Sequence, residues 1–324
     1  MKKNIAIVMG GHSSEYPISI KSGQVVHKYL DREKYNPYRI VIDRKGWVHL
    51  DDSGKEHPVD RADFSIAPHG ERITFDCVFN AIHGSPGEDG ILQAYFQLLD
   101  LPQTSCGSYE AALTFNKRDL LAVLKAYGVP CATSFYLNKG HRVDPVAIVE
   151  KVGLPCFVKA NRAGSSFGIS KVHKKEDLDQ AIALALKEDD QVIIESFLDG
   201  TEVSVGVITH HGEVVVLPVT EIVSENEFFD YQAKYEGKSQ EVTPARISAA
   251  QHKNVVDLAR FIYTTLGLKG YTRSEFIFIG DSPHLLEVNT TPGLTEESLL
   301  PQQAGVAGIS LEELFDSAIQ EALR

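Results

Sequence analysis

YTRSEFIFIGDSPHLLEVNTTPGLTEES, residues 271 to 298, is the stretch on which the reading of this chain turns. Two apolar runs, Phe276 to Ile279 and Leu285 to Val288, flank the turn formers Gly280, Asp281, Ser282 and Pro283, which predicts an antiparallel hairpin. Side chains repeat with a period of two along a strand. Arg273 and Glu275 therefore share one face of the first strand, and Glu287 and Asn289 one face of the second. If Glu275 lies opposite Glu287, the four groups converge; a three-residue loop or a bulge permits that register and a four-residue loop prevents it. Two carboxylates and an amide oxygen gathered there would repel one another. A hard cation removes the conflict: magnesium takes one or two carboxylates beside substrate phosphates, and Asn289 adds a carbonyl oxygen without charge. A solvated, charged hairpin face is the competing reading of this spacing alone.

The 324 residues of the chain can bury a substantial core, and this length usually divides into more than one domain. Its 44 acidic against 32 basic residues give a formal charge of -12, which argues against a general affinity for nucleic acid or anionic membrane. No run approaches the roughly 18 apolar residues of a membrane span. Met1, Lys2 and Lys3 lead directly into a short strand, without the apolar run and cleavage site of a signal peptide. Cys77, Cys106, Cys131 and Cys156 lack close metal-ligand spacing and read as buried, reduced thiols of a cytoplasmic chain. The twelve histidines contain no HExxH or other compact zinc signature.

Asn4 to Met9 reads as a strand that feeds Gly10-Gly11-His12-Ser13-Ser14-Glu15 and then a helix over Ile18 to Leu30. An open α/β sheet places ligand groups at its carboxyl edge in this way. Glu15 either fixes a substrate ammonium or solvates the helix start. Cys77 to Ile82 repeats the pattern into HGSPGEDG at 83 to 90, where His83 is a ligand contact or a cap. One long helix is expected from Tyr109 to Tyr127, with Lys117 inside it, ended by Gly128 and Pro130. Lys159 precedes the small-residue loop Asn161 to Gly168, whose backbone N–H groups can surround phosphate. Glu195 and Glu202 flank Phe197, Leu198 and Gly200, as carboxylates that accept from an adenine amino group and ribose hydroxyls would. Residues 221 to 244 form a long polar and aromatic loop, of a length that more often serves function than connection.

In this order the segments resemble the D-alanine–D-alanine ligase family, bacterial enzymes of the ATP-grasp fold, over essentially the whole chain. The carriers are GGHSSE at 10 to 15, HGSPGEDG at 83 to 90, GSSFGISKV at 164 to 172, Lys234-Tyr235, and EVNTTPGLTEESL at 287 to 299. The resemblance implies an α/β chain of three domains: an N-terminal open parallel-sheet substrate domain (1–105), a central ATP-grasp subdomain (106–197) and a C-terminal catalytic domain (198–324). It implies ATP and two magnesium ions, with manganese as a substitute, D-alanine as substrate, and a homodimer. Lys117, Lys159 and Lys234 match its phosphate-side lysines, Glu195 and Glu202 its base and ribose contacts, and Glu275, Glu287 and Asn289 its metal ligands. Glu15 matches the group that holds the first D-alanine ammonium and links to Ser165 and Tyr235. Arg273 and the Gly293 N–H match the oxyanion site, and Ser298 a contact to the second D-alanine carboxylate.

The implied chemistry is phosphorylation of one D-alanine by ATP to an acyl phosphate, then attack by the amine of the second, in the service of peptidoglycan precursor synthesis. Four positions depart from the family pattern. Glu275 stands where aspartate is usual, Ala163 for a glutamate, Ala160 where proline is common after Lys159, and Thr291 for a leucine before Pro-Gly. A D-alanine–D-lactate or D-alanine–D-serine ligase shares the first step, although Tyr235 after Lys234 favours the dipeptide enzyme. A nucleotide-binding regulatory module is the reading from a different class.

Overall fold

The computed structural model describes residues 2–164, 168–224 and 239–324. Three sheets organise it. The first contains β1 (Lys3–Gly10), β2 (Tyr35–Ile42), β3 (Trp47–Leu50), β4 (Glu56–Asp60), β5 (Ser65–Ile66) and β6 (Cys77–Asn80) in the order β5-β4-β3-β2-β1-β6. Its centre, β2-β1-β6, is parallel, and β3 to β5 extend it as an antiparallel meander. Ile5 to Met9 are almost wholly buried, as an unbroken apolar run in a parallel strand requires. Helices α1 (Tyr16–Tyr29) and α2 (Ile91–Leu98) begin just beyond the two glycine-rich loops at the carboxyl edge.

The segment read as one helix from 109 to 127 is two: α3 (Ser108–Phe115) and α4 (Lys117–Ala126). Asn116 has extended backbone geometry between them, and its side chain accepts from the Asp119 N–H as the N-cap of α4. The periodicity continues through this break, which is why apolar spacing alone does not reveal it. The consequence is functional, because Lys117 becomes a buried first residue of a helix instead of an exposed mid-helix lysine.

The second sheet is antiparallel, with β7 (Ser134–Asn138), β8 (Cys156–Ala160), β9 (Ser170–Val172) and β10 (Gln191–Ser196) in the order β7-β10-β8-β9. Helices α5 (Pro145–Val152) and α6 (Leu178–Ala185) pack on it around Ile148, Val158, Leu178 and Ile194. The third sheet, also antiparallel, comprises β11 (Glu202–His210), β12 (Glu213–Val216), β13 (Thr220–Ser224), β14 (Ser239–Val242), β15 (Tyr271–Ile279) and β16 (Ser282–Asn289). Helices α3, α4 and α7 (Ala249–Thr265) share its core. Two further helices, α8 (Leu299–Val306) and α9 (Leu311–Ala322), bury Leu300, Ala304, Phe315 and Ile319 in one cluster with Ile5, Ile7 and Phe79 of the first sheet. That shared core brings the glycine-rich loops of the first sheet to the β15–β16 hairpin.

The hairpin itself closes through a two-residue turn, Gly280–Asp281, not the four-residue turn read from sequence. Ser282 and Pro283 belong to β16, which lies at the sheet edge, where a missing N–H is tolerated. Gly280, at a φ of +60°, occupies the first turn position. A register shift between Glu275 and Phe276 then sets Glu275 opposite Glu287 and Arg273 opposite Asn289. The bulge, one of the two devices that permit convergence, is present.

Candidate active site

The register of the hairpin fixes the floor of the site. The Arg273 guanidinium forms an ion pair with Glu275 Oε1, and its Nη1 donates to Ser204 Oγ at 3.3 Å. Glu275 is buried, and its other oxygen, Oε2, has no hydrogen-bond partner among the described residues. Glu287 Oε2 lies 2.9 Å from the Lys117 ammonium, and Asn289 Nδ2 is 3.4 Å from Glu287 Oε1. Lys117 also donates to the Ala163 carbonyl oxygen at 2.9 Å, so the first lysine reaches both the hairpin and the serine-rich loop. The contact uses the backbone of residue 163, and alanine therefore preserves it.

On the wall formed by the second sheet, Lys159 of β8 and Glu195 of β10 point at one another across neighbouring strands, with 2.8 Å between Nζ and Oε2. Burial alone would draw the Lys159 ammonium below its ordinary pKa. The charge and hydrogen bond of Glu195, with Glu287 and Glu202 behind it, outweigh that and raise it. Glu195 Oε1 is buried and has no hydrogen-bond partner among the described residues, an acceptor open to a ligand donor. Glu202 opens β11 opposite Ile277, beside this pair.

The third side comes from the first sheet. The Glu15 carboxylate stands against Gly164, where a Cβ would come within 2.4 Å of Oε2, so a larger residue there would make the carboxylate move. His83 is buried and both ring nitrogens are engaged. A carbonyl can only accept, so Nδ1–H donates to Thr291 O at 2.7 Å, and Nε2 accepts from the Ser22 hydroxyl at 2.9 Å. Ser22 Oγ in turn accepts from the Leu294 N–H at 3.2 Å. This chain ties the loop after β16 to α1 and positions Gly293, beside which lies Ser298 Oγ, itself 2.8 Å from Thr295 Oγ1. Burial holds His83 below its usual pKa against the opposing charge of Glu15. The residue left open between ligand contact and cap is thus a brace between loops.

Two contributors escaped the sequence reading. Glu88 is buried, accepts from the Gly84 N–H at 3.0 Å, and has its pKa pushed up to about 8, by burial first and the charge of Glu15 second. The acidic pair in GEDG was its only signal. Asn161 Nδ2 donates to Asn116 Oδ1 at 2.7 Å and Gln191 Oε1 at 2.9 Å, and Asn161 Oδ1 accepts from the Arg118 N–H at 2.8 Å. This amide cluster holds the start of α4, and with it Lys117, against β8 and β10. Ser165, Lys234 and Tyr235 lie outside the described residues.

Of the residues read as the site, Glu15, Lys117, Lys159, Glu195, Arg273, Glu275, Glu287 and Asn289 are linked by these contacts across three sheets, and Glu202, Gly293 and Ser298 lie on adjoining segments of β11 and the loop after β16. Its donor set fits divalent magnesium: hard oxygens at Glu275, Glu287 and Asn289, one of them a buried carboxylate oxygen without a partner among the described residues. Paired basic and acidic groups at the junction of two antiparallel sheets, faced by the loops of an α/β unit, define the ATP-grasp class. A model described as D-ala D-ala ligase N-terminus matches residues 4–106, and one described as D-ala D-ala ligase C-terminus matches residues 123–320. The D-alanine–D-alanine ligase of Flavobacterium johnsoniae is 63% identical over 321 residues, 99% of each chain. Among solved structures, the VanG D-Ala:D-Ser ligase from Enterococcus faecalis superposes with a TM-score of 0.86 at 32% identity, covering 99% of this chain and 100% of that one. The D-alanyl-alanine synthetase A of Vibrio cholerae gives 0.88 at 25% identity, covering 99% and 98%. The chain belongs to the D-alanine–D-alanine ligase family.

Proposed function

We propose that this chain joins two D-alanines into D-alanyl-D-alanine at the expense of ATP, for peptidoglycan precursor synthesis, in the cleft beside the β15–β16 hairpin. The observation that carries the reading is the convergence there of two lysine–glutamate pairs, an arginine–glutamate pair and two buried carboxylate oxygens without partners among the described residues. The adenine amino group donates to Glu195 Oε1, the ribose hydroxyls meet Glu202, and Lys117 and Lys159, with Lys234, face the phosphates. Glu275, Glu287 and Asn289 hold the divalent ions, two magnesium or manganese; when bound, these offset negative charge on the transferring phosphoryl group.

Glu15 orients the first D-alanine by its ammonium, with Ser165 and Tyr235. The carboxylate of that D-alanine displaces ADP from the γ-phosphate, which gives an acyl phosphate. The amine of the second D-alanine, held by its carboxylate at Ser298, attacks the acyl carbon. Arg273 and the Gly293 N–H stabilise the tetrahedral oxyanion before phosphate leaves. The same proposal includes three domains, 1–105, 106–197 and 198–324, a homodimer and a cytoplasmic setting. The three sheets support a threefold division, but α3 and α4, inside 106–197, share the core of the third sheet and not of the second. Among the described residues no helix is long and apolar enough to cross a membrane.

The similarity to a D-Ala:D-Ser ligase makes the acceptor the point to test. ADP release is measured with magnesium and D-alanine, alone and with D-serine or D-lactate, while product mass is recorded. D-Alanyl-D-alanine formed in step with ADP is the expected result. A mixed product favoured over the dipeptide would move the reading to the other acceptors, and bound ATP without turnover would leave a nucleotide-binding module.

A further inference from the structure

At the opposite end of β11 from Glu202, roughly 26 Å along a nine-residue strand, His210 and His211 meet Glu313 of the first turn of α9. One ligand atom from each of the three residues lies within 4.8 Å of the others. His210 Nε2 is 3.2 Å and His211 Nε2 3.8 Å from Glu313 Oε1. Ligands bound about 2.0–2.1 Å from a tetrahedral zinc ion stand roughly 3.3 Å apart, close to the first of these separations. His211 is 75% exposed and free to close the second. It adopts a φ of +51° and Gly212 a φ of +85° in the two-residue turn between β11 and β12, which turns consecutive histidines to the same side.

The hydrogen bonds around His210 decide which nitrogen is available. Ser317 is buried, and its hydroxyl donates to the Thr209 carbonyl at 3.3 Å. Its single proton is thereby committed, so Ser317 Oγ accepts from His210 Nδ1–H at 3.2 Å. With Nδ1–H so placed, Nε2 faces the Glu313 carboxylate across 3.2 Å, a gap that a proton or a metal cation can bridge. The Nδ1 hydrogen bond is the outer partner that ligating histidines ordinarily have. Arg324 packs against Gly212, and Glu321 pairs with its guanidinium at 3.1 Å.

We propose that His210, His211 and Glu313 form a binding site for a borderline transition metal of the zinc class, separate from the magnesium ligands of the active site. Two imidazoles and one carboxylate suit zinc far better than magnesium, and water completes the fourth position. Bound there, the ion clips the β11–β12 turn to the start of α9. The site stands whichever acceptor the ligase uses.

The test is calorimetric titration of untagged, full-length chain with zinc in excess magnesium, repeated with cobalt and read by visible absorption. One zinc per chain and an intense tetrahedral cobalt spectrum are expected. His210→Gln and Glu313→Gln should each weaken zinc binding at least about tenfold, and Ser317→Ala within the 10- to 100-fold of an outer-partner loss. Magnesium-supported ligase activity should persist in all three. No zinc uptake by the wild-type chain, or equal uptake by His210→Gln and Glu313→Gln variants that retain ligase activity, would overturn the site.

Discussion

The two banks of the active-site cleft tolerate crowded carboxylates in different ways. On the hairpin bank, Glu275 and Glu287 each face a cation, Arg273 and Lys117. On the glycine-loop bank, Glu88 forms no ion pair among the described residues, and it is relieved by a proton, with its pKa pushed up to about 8 by burial and by Glu15. Cations paired with carboxylates, Arg273 with Glu275 along one strand and Lys117 of α4 with Glu287 of β16, can be handed to an arriving anion. A protonated carboxyl cannot do that; it can only hold a loop. The hairpin bank is therefore built for chemistry, whereas on the loop bank Glu15 is left to meet substrate and Glu88 serves shape.

The largest effect expected from this contrast is at Arg273. Arg273→Ala should lower turnover about 10²–10³-fold, the size of a lost oxyanion donor, while ATP affinity changes little. Steady-state kinetics beside a direct ATP-binding titration check it. Equal losses in turnover and ATP binding would remove Arg273 from the oxyanion role and make it a structural partner of Glu275.

The loss of Lys117 comes next. Lys117→Met takes one cation away from Glu287, and the pair is only slightly exposed, 11% and 23%. Breaking one partner of a buried pair costs about 3–5 kcal/mol, and this partly solvated one should cost about 2–3 kcal/mol in urea unfolding without nucleotide. The double variant with Glu287→Gln should recover part of that loss. Strict additivity of the two single changes would show that the 2.9 Å contact contributes nothing to the resting protein.

How much of this contrast can be read from the chain depends on what sets each position. The alternation of Arg273, Glu275, Glu287 and Asn289 follows from strand periodicity, and their convergence needed only the bulge. The turn length was misread because Ser282 and Pro283 are turn formers by composition, yet an edge strand accepts both. Lys117 seemed an ordinary helix lysine because Asn116 interrupts the helix without interrupting its apolar period. His83 and Glu88 were the least legible, since their roles come from Thr291, Ser22 and Glu15, partners set by packing between distant segments. His210 and His211 show the same limit: no compact zinc spacing exists in sequence, because the third ligand lies over a hundred residues away on α9.

The smallest expected effect is on the loop bank, and its sign is fixed by linkage. The folded-state pKa of Glu88 is raised, from 4.5 to about 8, so the native protein binds a proton that the unfolded chain releases. The wild type should therefore lose stability as pH rises from about 4.5 towards 8, with the penalty absent below the unfolded value. Glu88→Gln keeps an acceptor for the Gly84 N–H and cannot ionise. Between pH 5 and 7 the wild type should lose on the order of 2 kcal/mol relative to this variant in urea unfolding. Parallel profiles for the two proteins would mean that Glu88 is ionised in the native state. The loop bank would then need a cation of its own, and the contrast between the two banks would fall.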